Sequence, residues 1–313
     1  MTKCLITGGA GFIVSNFTEY LLGKKFDVTV VDNLFTGKLD NIKHLKKSIK
    51  FIKGDIRDLG LLVKASAGAD FIFHLAALPS VNRSVKDPVE SNSVNVSGTL
   101  NVFQAAVKNR VKRVVFASSS SVYGDAITLP KVETMTPNPL SPYALTKLVG
   151  EEYARLYASL YSLDVVCLRY FNVFGPRQDP KSEYAAVIPK FITAVQKGEE
   201  LTIYGDGRQT RDFTYIDNVV RANYLAAVTK KAGNMVFNIA AGKRISLLDL
   251  LRLIGEISGK KAAYRLSPRR PGDVKHSLAG IKKAGKYMNY RPVTDFKKGM
   301  IKTYGWFSEN SEL

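Results

Sequence analysis

The chain has 313 residues, of which 45% are hydrophobic, and a formal net charge of +19. This length fits one large α/β domain, or a large domain with a smaller one attached. No apolar run approaches the ~20 residues that cross a bilayer, and the first segment is too short for a secretory signal, so we expect a cytoplasmic protein without a membrane partner. The lysines are dispersed and not interleaved with aromatic residues, so we expect no nucleic-acid partner and a solvated basic surface that attracts polyanionic small molecules.

Cysteine and histidine usage excludes two further classes. Cys4 and Cys167 lie in apolar, strand-like runs, and the histidines are scattered at positions 44, 74 and 276. This pattern fits two reduced core thiols in a cytosolic protein, rather than a disulfide framework or a zinc site.

Apolar, β-branched runs alternate with helical patterns from the start of the chain. The runs KCLIT, DVTVVD, IKFIKGD, ADFIFHLAA, RVVFASS and DVVCLRYF are typical of strands buried on both faces. Helical patterns occupy 11–24, about 58–67, 87–109 and 143–161. This alternation predicts an α/β fold with a doubly wound parallel (Rossmann) sheet.

The pattern loosens after about residue 171, where prolines and glycines punctuate shorter elements. The later segments TYIDNVVRANYLAAV and MVFNIA indicate a return to the main sheet. We therefore predict a main domain of residues 1–170 plus about 217–245, and a smaller C-terminal α/β domain of about 171–216 plus 246–313.

The first predicted strand runs into TGGAGFIVSN, residues 7–16. Gly8 permits a tight turn, and Gly11 lets a pyrophosphate approach the N-terminus of the next helix, where free N–H groups favour negative charge. Asp32 ends the following strand, where a carboxylate accepts hydrogen bonds from ribose hydroxyls and disfavours a 2′-phosphate. The pattern predicts a dinucleotide site that prefers NAD, with a helix N-cap or turn as the alternative role of Asp32.

Val14 stands where such a turn carries its third glycine. That glycine permits close packing of helix on strand and faces the sheet rather than the phosphates. A valine should push the helix outward and destabilise the domain through overpacking, by ~1–3 kcal/mol at most. We still expect the glycine turn to bind the dinucleotide, with an altered affinity.

A second group of residues points to chemistry. FASSSSVYGD, residues 116–125, precedes SPYALTK, residues 141–147, in which Tyr143 and Lys147 share a helix face. Further motifs are TGGAGFI, VVDNL, GDIRD, HLAA, SVNVSGTLNV, LRYFNVFGPRQ, YGDGRQTRDFTYIDNV and RRPGD. With these motifs the chain resembles, over nearly its whole length, an extended short-chain dehydrogenase/reductase, specifically the UDP-glucose/UDP-N-acetylglucosamine 4-epimerases. The resemblance implies an NAD-dependent isomerase of nucleotide sugars that keeps its NAD tightly bound.

The resemblance assigns chemical roles to three side chains. The tyrosine phenol ordinarily has a pKa of ~10, which a neighbouring ammonium and a nicotinamide cation lower. Tyr143 would take the C4 hydroxyl proton of the sugar while the hydride leaves for NAD, and Lys147 would also hold the nicotinamide ribose. Counted back from VYG, Ser120 would hydrogen-bond the developing carbonyl oxygen. Related dehydratases and decarboxylases place an acid beside this serine; none occurs between Ser118 and Tyr123, which favours epimerisation.

Two larger sets of contacts follow from the same resemblance. The NAD site would comprise Gly8, Gly11, Phe12, Ile13, Asp32, Asn33, Asp55, Ile56, Leu75, Ala76 and Ala77, with Tyr143 and Lys147. The substrate site would comprise Ser80, Asn95, Ser120, Asn172, Val187, Tyr204, Arg211, Arg270, Asp273 and Ser277. Arg211 and Arg270 would clamp the diphosphate with guanidinium forks, Tyr204 would pack on the base, and Asp273 would hold the uridine ribose. A surface ion pair or solvated turn is the alternative for each arginine.

Ser277 bears on the sugar. Family members restricted to plain hexoses carry a bulky tyrosine at this place, and members that accept 2-acetamido sugars carry a small residue. We therefore predict interconversion of UDP-GlcNAc and UDP-GalNAc, and also of UDP-Glc and UDP-Gal. The alternative is that position 277 holds a small residue because helix packing requires one, and not because of the sugar.

Other functions stay open at this point. One is a UDP-glucuronate 4-epimerase or another NAD-dependent enzyme of nucleotide sugars, with Arg83 as the candidate contact of a C6 carboxylate. Others are a dehydrogenase that releases NADH and a non-catalytic dinucleotide-binding protein. By family analogy, the helices at 87–109 and 143–161 imply a homodimer through a helix bundle.

Overall fold

A seven-stranded parallel sheet forms the centre of the molecule in the computed structural model, which describes residues 1–180, 186–269 and 274–310. The strands are β1 Lys3–Thr7, β2 Asp27–Asp32, β3 Lys50–Lys53, β4 Phe71–His74, β5 Arg113–Ser119, β6 Val165–Tyr170, β7 Val173–Phe174, β8 Leu201–Tyr204, β9 Thr210–Arg211, β10 Thr214–Tyr215, β11 Val236–Ile239, β12 Ile245–Ser246 and β13 Tyr264–Ser267. The large sheet has the order β11-β6-β5-β4-β1-β2-β3, with every neighbouring pair parallel. The predicted doubly wound sheet is confirmed.

Helices cover both faces of this sheet. They are α1 Phe12–Gly23, α2 Leu59–Ala65, α3 Val81–Lys86, α4 Pro88–Asn92, α5 Gly98–Lys108, α6 Pro142–Tyr161, α7 Val187–Lys197, α8 Ile216–Val228, α9 Leu247–Ser258, α10 Lys282–Met288 and α11 Phe296–Glu309. One prediction is wrong in detail: the segment 87–109 is not a single regular helix. A π-helical turn, Ser93–Ser97, separates α4 from α5. Such turns insert an extra residue and re-aim the side chains around it.

The core lies on both sides of the sheet, because successive strand residues face opposite ways. In β1, Cys4 and Ile6 join the hydrophobic cluster that includes α1 and α8, whereas Leu5 joins the cluster that includes α5 and α6. Cys4 and Cys167 are both unpaired and buried, as predicted for reduced core thiols.

Close approach at the first turn depends on two glycines. Gly8 has φ +78°, and a Cβ there would lie 2.8 Å from Ala76 Cα. A Cβ on Gly9 would lie 1.6 Å from Val30 Cγ1 of the neighbouring strand, so any side chain at either position would force the turn away from the sheet. Val14 is buried in the main core beside this turn, and the predicted overpacking there remains a prediction.

The later part of the chain builds small sheets at the edge of the main one. Pairs form between β7 and β10, between β9 and β12, and between β8 and β13, while β11 returns to the large sheet beside β6. As predicted, the chain leaves the large sheet after β6 and returns to it at β11. The division into two domains stays a prediction.

Candidate active site

A cavity of about 720 Å³ opens at the carboxyl ends of β1, β2, β4 and β5, which is where doubly wound sheets bind ligands. Twelve of the thirteen predicted cofactor residues line it: Gly8, Gly11, Phe12, Ile13, Asp32, Asn33, Ile56, Leu75, Ala76, Ala77, Tyr143 and Lys147. Because these residues come from five separate stretches of sequence, the fold brings together in one place what the motifs indicated separately.

The residues present fit a dinucleotide. Gly11 begins α1 as its N-cap, where free N–H groups favour a phosphate. A side chain on Gly8 would collide with the backbone of Ala76, so only glycine lets the turn lie this close to the end of β4. The Asp32 carboxylate accepts from the N–H groups of Ala10, at 2.9 Å, and Leu34, at 2.7 Å. These contacts give Asp32 the alternative turn role. Each carboxylate oxygen keeps a lone pair for a ribose hydroxyl, so the predicted ligand role is compatible with them and stays a prediction.

Asp55 differs from the other predicted cofactor residues. It does not appear among the described residues that line the cavity. Its carboxylate accepts from the side chains of Arg57, at 2.8 Å, and Asn33, at 2.9 Å. The Arg57 guanidinium lowers the pKa of Asp55 to about 2. Asp55 thus orients Asn33, which does line the cavity.

Tyr143 and Lys147 lie one helical turn apart at the start of α6, where Ser141 caps the helix by accepting from the Ala144 N–H. Lys147 Nζ donates to the carbonyl oxygen of Ala117 at 2.8 Å and lies 5.9 Å from the centroid of the Tyr143 ring. The ammonium is thereby held beside the phenol, as the shared helix face predicted.

Lys147 is buried, and burial lowers its pKa to about 8, while the nearby Glu151 carboxylate opposes that shift. Glu151 is itself buried and forms an ion pair with Arg169, with Arg169 Nη2 at 2.6 Å from Oε2. Ser118 also donates to Glu151. This buried group one turn beyond Lys147 favours the charged form of the lysine. Sequence reasoning missed it, although Glu151 continues the four-residue spacing of Tyr143 and Lys147.

Ser119, and not Ser120, is the serine that hydrogen-bonds the Tyr143 side chain. The prediction for Ser120 is one residue out, because β5 extends to Ser119 and Ser120 already begins a 3-10 turn. Ser119 Oγ accepts from Ser121 twice, from its N–H at 3.1 Å and its hydroxyl at 2.9 Å. Because both lone pairs of Ser119 Oγ accept hydrogen bonds, its hydroxyl proton is left to donate to the Tyr143 side chain.

The surroundings of the Tyr143 phenol favour its neutral form. Burial raises its pKa above the ordinary value, and only the Ser119 hydrogen bond opposes this shift. The Lys147 ammonium, 5.9 Å from the ring centroid, and the positive charge of a bound nicotinamide would both favour the phenolate during the reaction.

The predicted substrate residues are more dispersed. Ser80 lines the cavity and caps α3, with φ +100°. Asn95 is buried in the π-helical turn and holds the backbone of Leu78, accepting from its N–H at 2.7 Å. Its side chain therefore supports the cavity wall rather than facing a ligand. Asn172 is exposed in a left-handed conformation after β6, and Val187 is the first residue of α7.

The remaining substrate residues lie around β8 and β9. Tyr204 ends β8 and Arg211 ends β9. Arg211 Nη1 donates to the carbonyl oxygen of Thr210 at 2.9 Å, and the Ser277 N–H donates to the same oxygen at 3.1 Å. Arg211 and Ser277 are therefore close together, as a common substrate site requires. Arg270 and Asp273 lie outside the described residues.

Sequence reasoning missed a further wall of the cavity. Arg177, Gln178 and Asp179 line it from the loop after β7, and Lys38 lines it from the loop after β2. Lys38 Nζ and Asp179 Oδ2 pair at 3.0 Å, and Arg177 Nη2 donates to Glu19 of α1 at 2.9 Å. These ion pairs join two sides of the cavity. Residues 177–179 end the segment FNVFGPRQD, residues 171–179, in which only Asn172 was predicted to be a site residue.

Two further classes of site find no support in the described part of the chain. No group of three His, Cys, Asp or Glu side chains there is arranged to hold a metal ion. None of the helices within the described ranges is long and apolar enough to cross a membrane.

Comparison with known proteins agrees with this geometry. The model of the NAD dependent epimerase/dehydratase family matches residues 4–240. A putative UDP-glucose 4-epimerase of Methanocaldococcus jannaschii is 40% identical over 98% of this chain and 99% of its own length. A UDP-glucuronate 4-epimerase of Thermodesulfobacterium geofontis is 35% identical over 99% of this chain and 97% of its own length.

Solved structures of related enzymes are also similar to this chain over nearly its whole length. The UDP-N-acetylglucosamine 4-epimerase of Methanobrevibacter ruminantium in complex with UDP-N-acetylmuramic acid has a TM-score of 0.95 and 40% identity, covering 99% of both chains. The UDP-glucose 4-epimerase of Thermus thermophilus in complex with NAD has a TM-score of 0.89 and 35% identity, covering 98% of this chain and 99% of that one. This chain therefore belongs to the NAD-dependent epimerase/dehydratase family of extended short-chain dehydrogenases/reductases.

Proposed function

We propose that the protein reversibly inverts the C4 carbon of a UDP-hexose with NAD as a tightly bound cofactor. The observation that carries this proposal is the grouping of Tyr143 and Lys147 at the cavity that also contains the glycine turn and Asp32, with Ser119 hydrogen-bonded to the Tyr143 side chain. The purified protein should convert UDP-Glc or UDP-GlcNAc to its C4 epimer without added reductant, as read by chromatography. Absence of any epimer from a panel of UDP-sugars would overturn the proposal.

Bound NAD would supply the hydride acceptor, and then the hydride donor, at C4. Tyr143 takes the proton of the C4 hydroxyl, and the Lys147 ammonium stabilises the phenolate that accepts it. The Ser119 hydroxyl donates a hydrogen bond to the C4 oxygen as it becomes a carbonyl. After the sugar turns over, Tyr143 returns the same proton to the oxygen, so the cycle consumes neither proton nor hydride.

The substrate nucleotide has to stay fixed while the sugar turns. Arg211 and Arg270 are proposed to clamp the diphosphate, with Asn172 also at the diphosphate, Tyr204 against the base and Asp273 on the uridine ribose. Val187 is proposed to line the substrate site. Support comes from the short distance that joins Arg211 and Ser277 through the Thr210 carbonyl. Guanidinium groups match the planar arrangement of phosphate oxygens.

We further propose that the enzyme accepts N-acetylated sugars. Ser277 is small and is buried beside the strand of Arg211, so a tyrosine there would occupy volume that the serine does not. Ser277→Tyr should suppress turnover of UDP-GlcNAc while sparing UDP-Glc, and Ser277→Ala should spare both. Equal loss on both sugars in Ser277→Tyr would show that the position does not select the substrate.

A UDP-glucuronate 4-epimerase remains the second candidate. It is favoured by the similarity to the Thermodesulfobacterium geofontis enzyme of this activity. Arg83, its proposed carboxylate contact, lines the cavity but stacks on Phe35, with 5.5 Å from guanidinium to ring centroid. Phe35 follows the strand of Asp32, so this contact lies toward the cofactor side. Rates on UDP-glucuronate and UDP-Glc, compared side by side, distinguish the two.

Two other functions make different predictions for the same protein. A dehydrogenase that releases NADH would give a steady rise in absorbance at 340 nm with external NAD. A non-catalytic binding protein would turn over no sugar.

We also infer that the protein is a homodimer, by analogy with its family. We infer a cytoplasmic location, which the two unpaired buried cysteines support. Size-exclusion chromatography with light scattering tests the dimer.

A further inference from the structure

A line of buried polar side chains runs beneath the cavity, from the glycine turn to α6. Its members are Thr7, His74, Thr99, Asn95 and Thr146, each at most 4% exposed. They come from β1, β4, α5, the π-helical turn and α6. Burial of this many polar groups destabilises a fold unless each finds its partner, so their arrangement requires an explanation.

The hydrogen bonds of this line have a determined direction. Thr99 donates its single hydroxyl proton to the carbonyl oxygen of Asn95, at 2.6 Å. The contact between Thr99 Oγ1 and His74 Nε2, at 2.9 Å, must then use a proton on Nε2. His74 is neutral, because burial lowers its pKa to about 3, so Nδ1 carries no proton. It accepts from Thr7 Oγ1 at 2.8 Å.

Both ends of this sequence of bonds reach the active site. Thr7 Oγ1 accepts from the N–H of Ala76, at 3.3 Å, and Thr7 immediately precedes Gly8. At the other end, Asn95 Nδ2 donates to Thr146 Oγ1 at 3.2 Å, and Thr146 Oγ1 donates to the carbonyl oxygen of Tyr143 at 2.8 Å. The cofactor turn and the helix that carries Tyr143 and Lys147 are therefore joined by buried polar groups: side chains throughout, except at Asn95, where Thr99 bonds the backbone carbonyl and the side chain continues to Thr146.

We propose that His74 is a positioning residue: the relay Thr7–His74–Thr99–Asn95 holds the cofactor turn and the helix of Tyr143 in a fixed relation. This inference rests on the proposed function. Only the neutral Nε2–H tautomer of His74 satisfies both neighbours at once. A substitution that breaks the relay leaves buried hydroxyl or imidazole groups without partners, and the adjoining turns can then shift. Small displacements between reacting groups reduce rates strongly.

Thr99 offers a matched pair of variants. Thr99→Val keeps the shape but removes the hydroxyl, whereas Thr99→Ser keeps the hydroxyl. We expect Thr99→Val to lower kcat at least tenfold with KM for the UDP-sugar within twofold, and Thr99→Ser to stay within twofold of the wild type in both. His74→Phe should lose at least as much as Thr99→Val; if it does not fold, the Thr99 pair still decides.

A destabilised control separates positioning from stability. Phe73 neighbours His74 in β4, but its side chain belongs to the core cluster on the other face of the sheet. Phe73→Leu should lower Tm while leaving kcat within twofold. If Thr99→Val and Phe73→Leu lose similar Tm and similar kcat, or if Thr99→Val keeps its kcat, the relay only stabilises the fold and the proposal is overturned.

NAD binding gives a readout that does not depend on epimerisation. Calorimetry on protein stripped of cofactor should show Kd for NAD raised at least fivefold in Thr7→Val and in Thr99→Val. The double variant should be no weaker than the worse single one, because both break one relay. Additive or absent effects contradict the relay. If these effects appear but the wild type epimerises no sugar, the proposed function fails and the relay stands.

Discussion

The cofactor half of the site and its substrate half are built in different ways. Around the cofactor, short loops at the ends of β1, β2 and β4 are fixed by buried polar contacts, such as Asp32 with Ala10 and Leu34. On the proposed substrate side, Arg211 and Ser277 come from segments far apart in the chain, and the Arg211 side chain and the Ser277 N–H both donate to the carbonyl oxygen of Thr210. A preformed cofactor half suits a cofactor that stays bound, while the substrate half has to admit and release its ligand.

The largest expected effect separates chemistry from cofactor binding. Tyr143→Phe removes the only hydroxyl proposed to exchange a proton with the sugar, so kcat should fall by about 10²–10⁴-fold. The NAD content of the purified variant, measured after acid release, should equal that of the wild type. A variant that keeps more than a tenth of the wild-type kcat would refute this role of Tyr143.

A substitution in the substrate half should move KM instead. Arg211→Ala removes a charged hydrogen-bond donor proposed to hold the diphosphate, a loss of about 1.5–3 kcal/mol or roughly 10–100-fold in KM. NAD content should not change. Arg208→Ala, an exposed arginine three residues earlier in the chain, is the matched control and should leave KM unchanged. Equal effects of the two variants would mean that Arg211 is a surface residue.

The pH dependence tests the state of Lys147. Because burial lowers its pKa to about 8, the ammonium is present below that pH and is lost above it. Since the charge is proposed to stabilise the phenolate, kcat should decline above pH 8 by about tenfold per unit at the limit. Lys147→Arg, whose guanidinium stays charged, should show no such decline in its remaining activity. A decline at the same pH in that variant would assign it to another group.

Val14 tests the packing of the cofactor half with a smaller effect. Gly9 makes a close approach of turn and sheet, and the Val14 side chain is buried among core residues beside it. Val14→Ala should therefore lower the free energy of unfolding by about 2 kcal/mol, measured by urea denaturation. Val85→Ala, at an exposed helix position, should change it by less than about 0.5 kcal/mol. A stabilised Val14→Ala would instead support overpacking.

The smallest effect concerns the ion pair between Lys38 and Asp179 that joins two walls of the cavity. Both side chains are partly exposed, so their pairing is worth about 0.2–1 kcal/mol. Lys38→Asp and Asp179→Lys should each speed NAD dissociation by up to about fivefold. The double variant, in which the two charges are exchanged, should return the dissociation rate most of the way to that of the wild type. No recovery in the double variant would exclude a direct contribution of the pair.

The two halves also differ in how far the sequence predicts them. Glycines, a strand-ending acid and a Tyr–Lys spacing are local signals, and nearly all the residues they indicated share one cavity. The serine was misplaced by one residue, because the end of a strand within four consecutive serines leaves no local signal. Asn95 was assigned to the ligand because the π-helical turn that directs it toward Leu78 has no sequence signature. Arg177 and the partners of His74 depend on contacts between distant segments, which local patterns do not reveal.

In the proposed cycle, one carbon gives up its hydride and receives the same hydride back while the cofactor stays bound. A UDP-hexose carrying deuterium at C4 tests this cycle directly when the epimer is analysed by mass spectrometry and NMR. We expect full retention of deuterium at C4 of the epimer, in ordinary water and with excess unlabelled NADH in solution. Loss of the label to solvent, or its dilution by the added NADH, would contradict it.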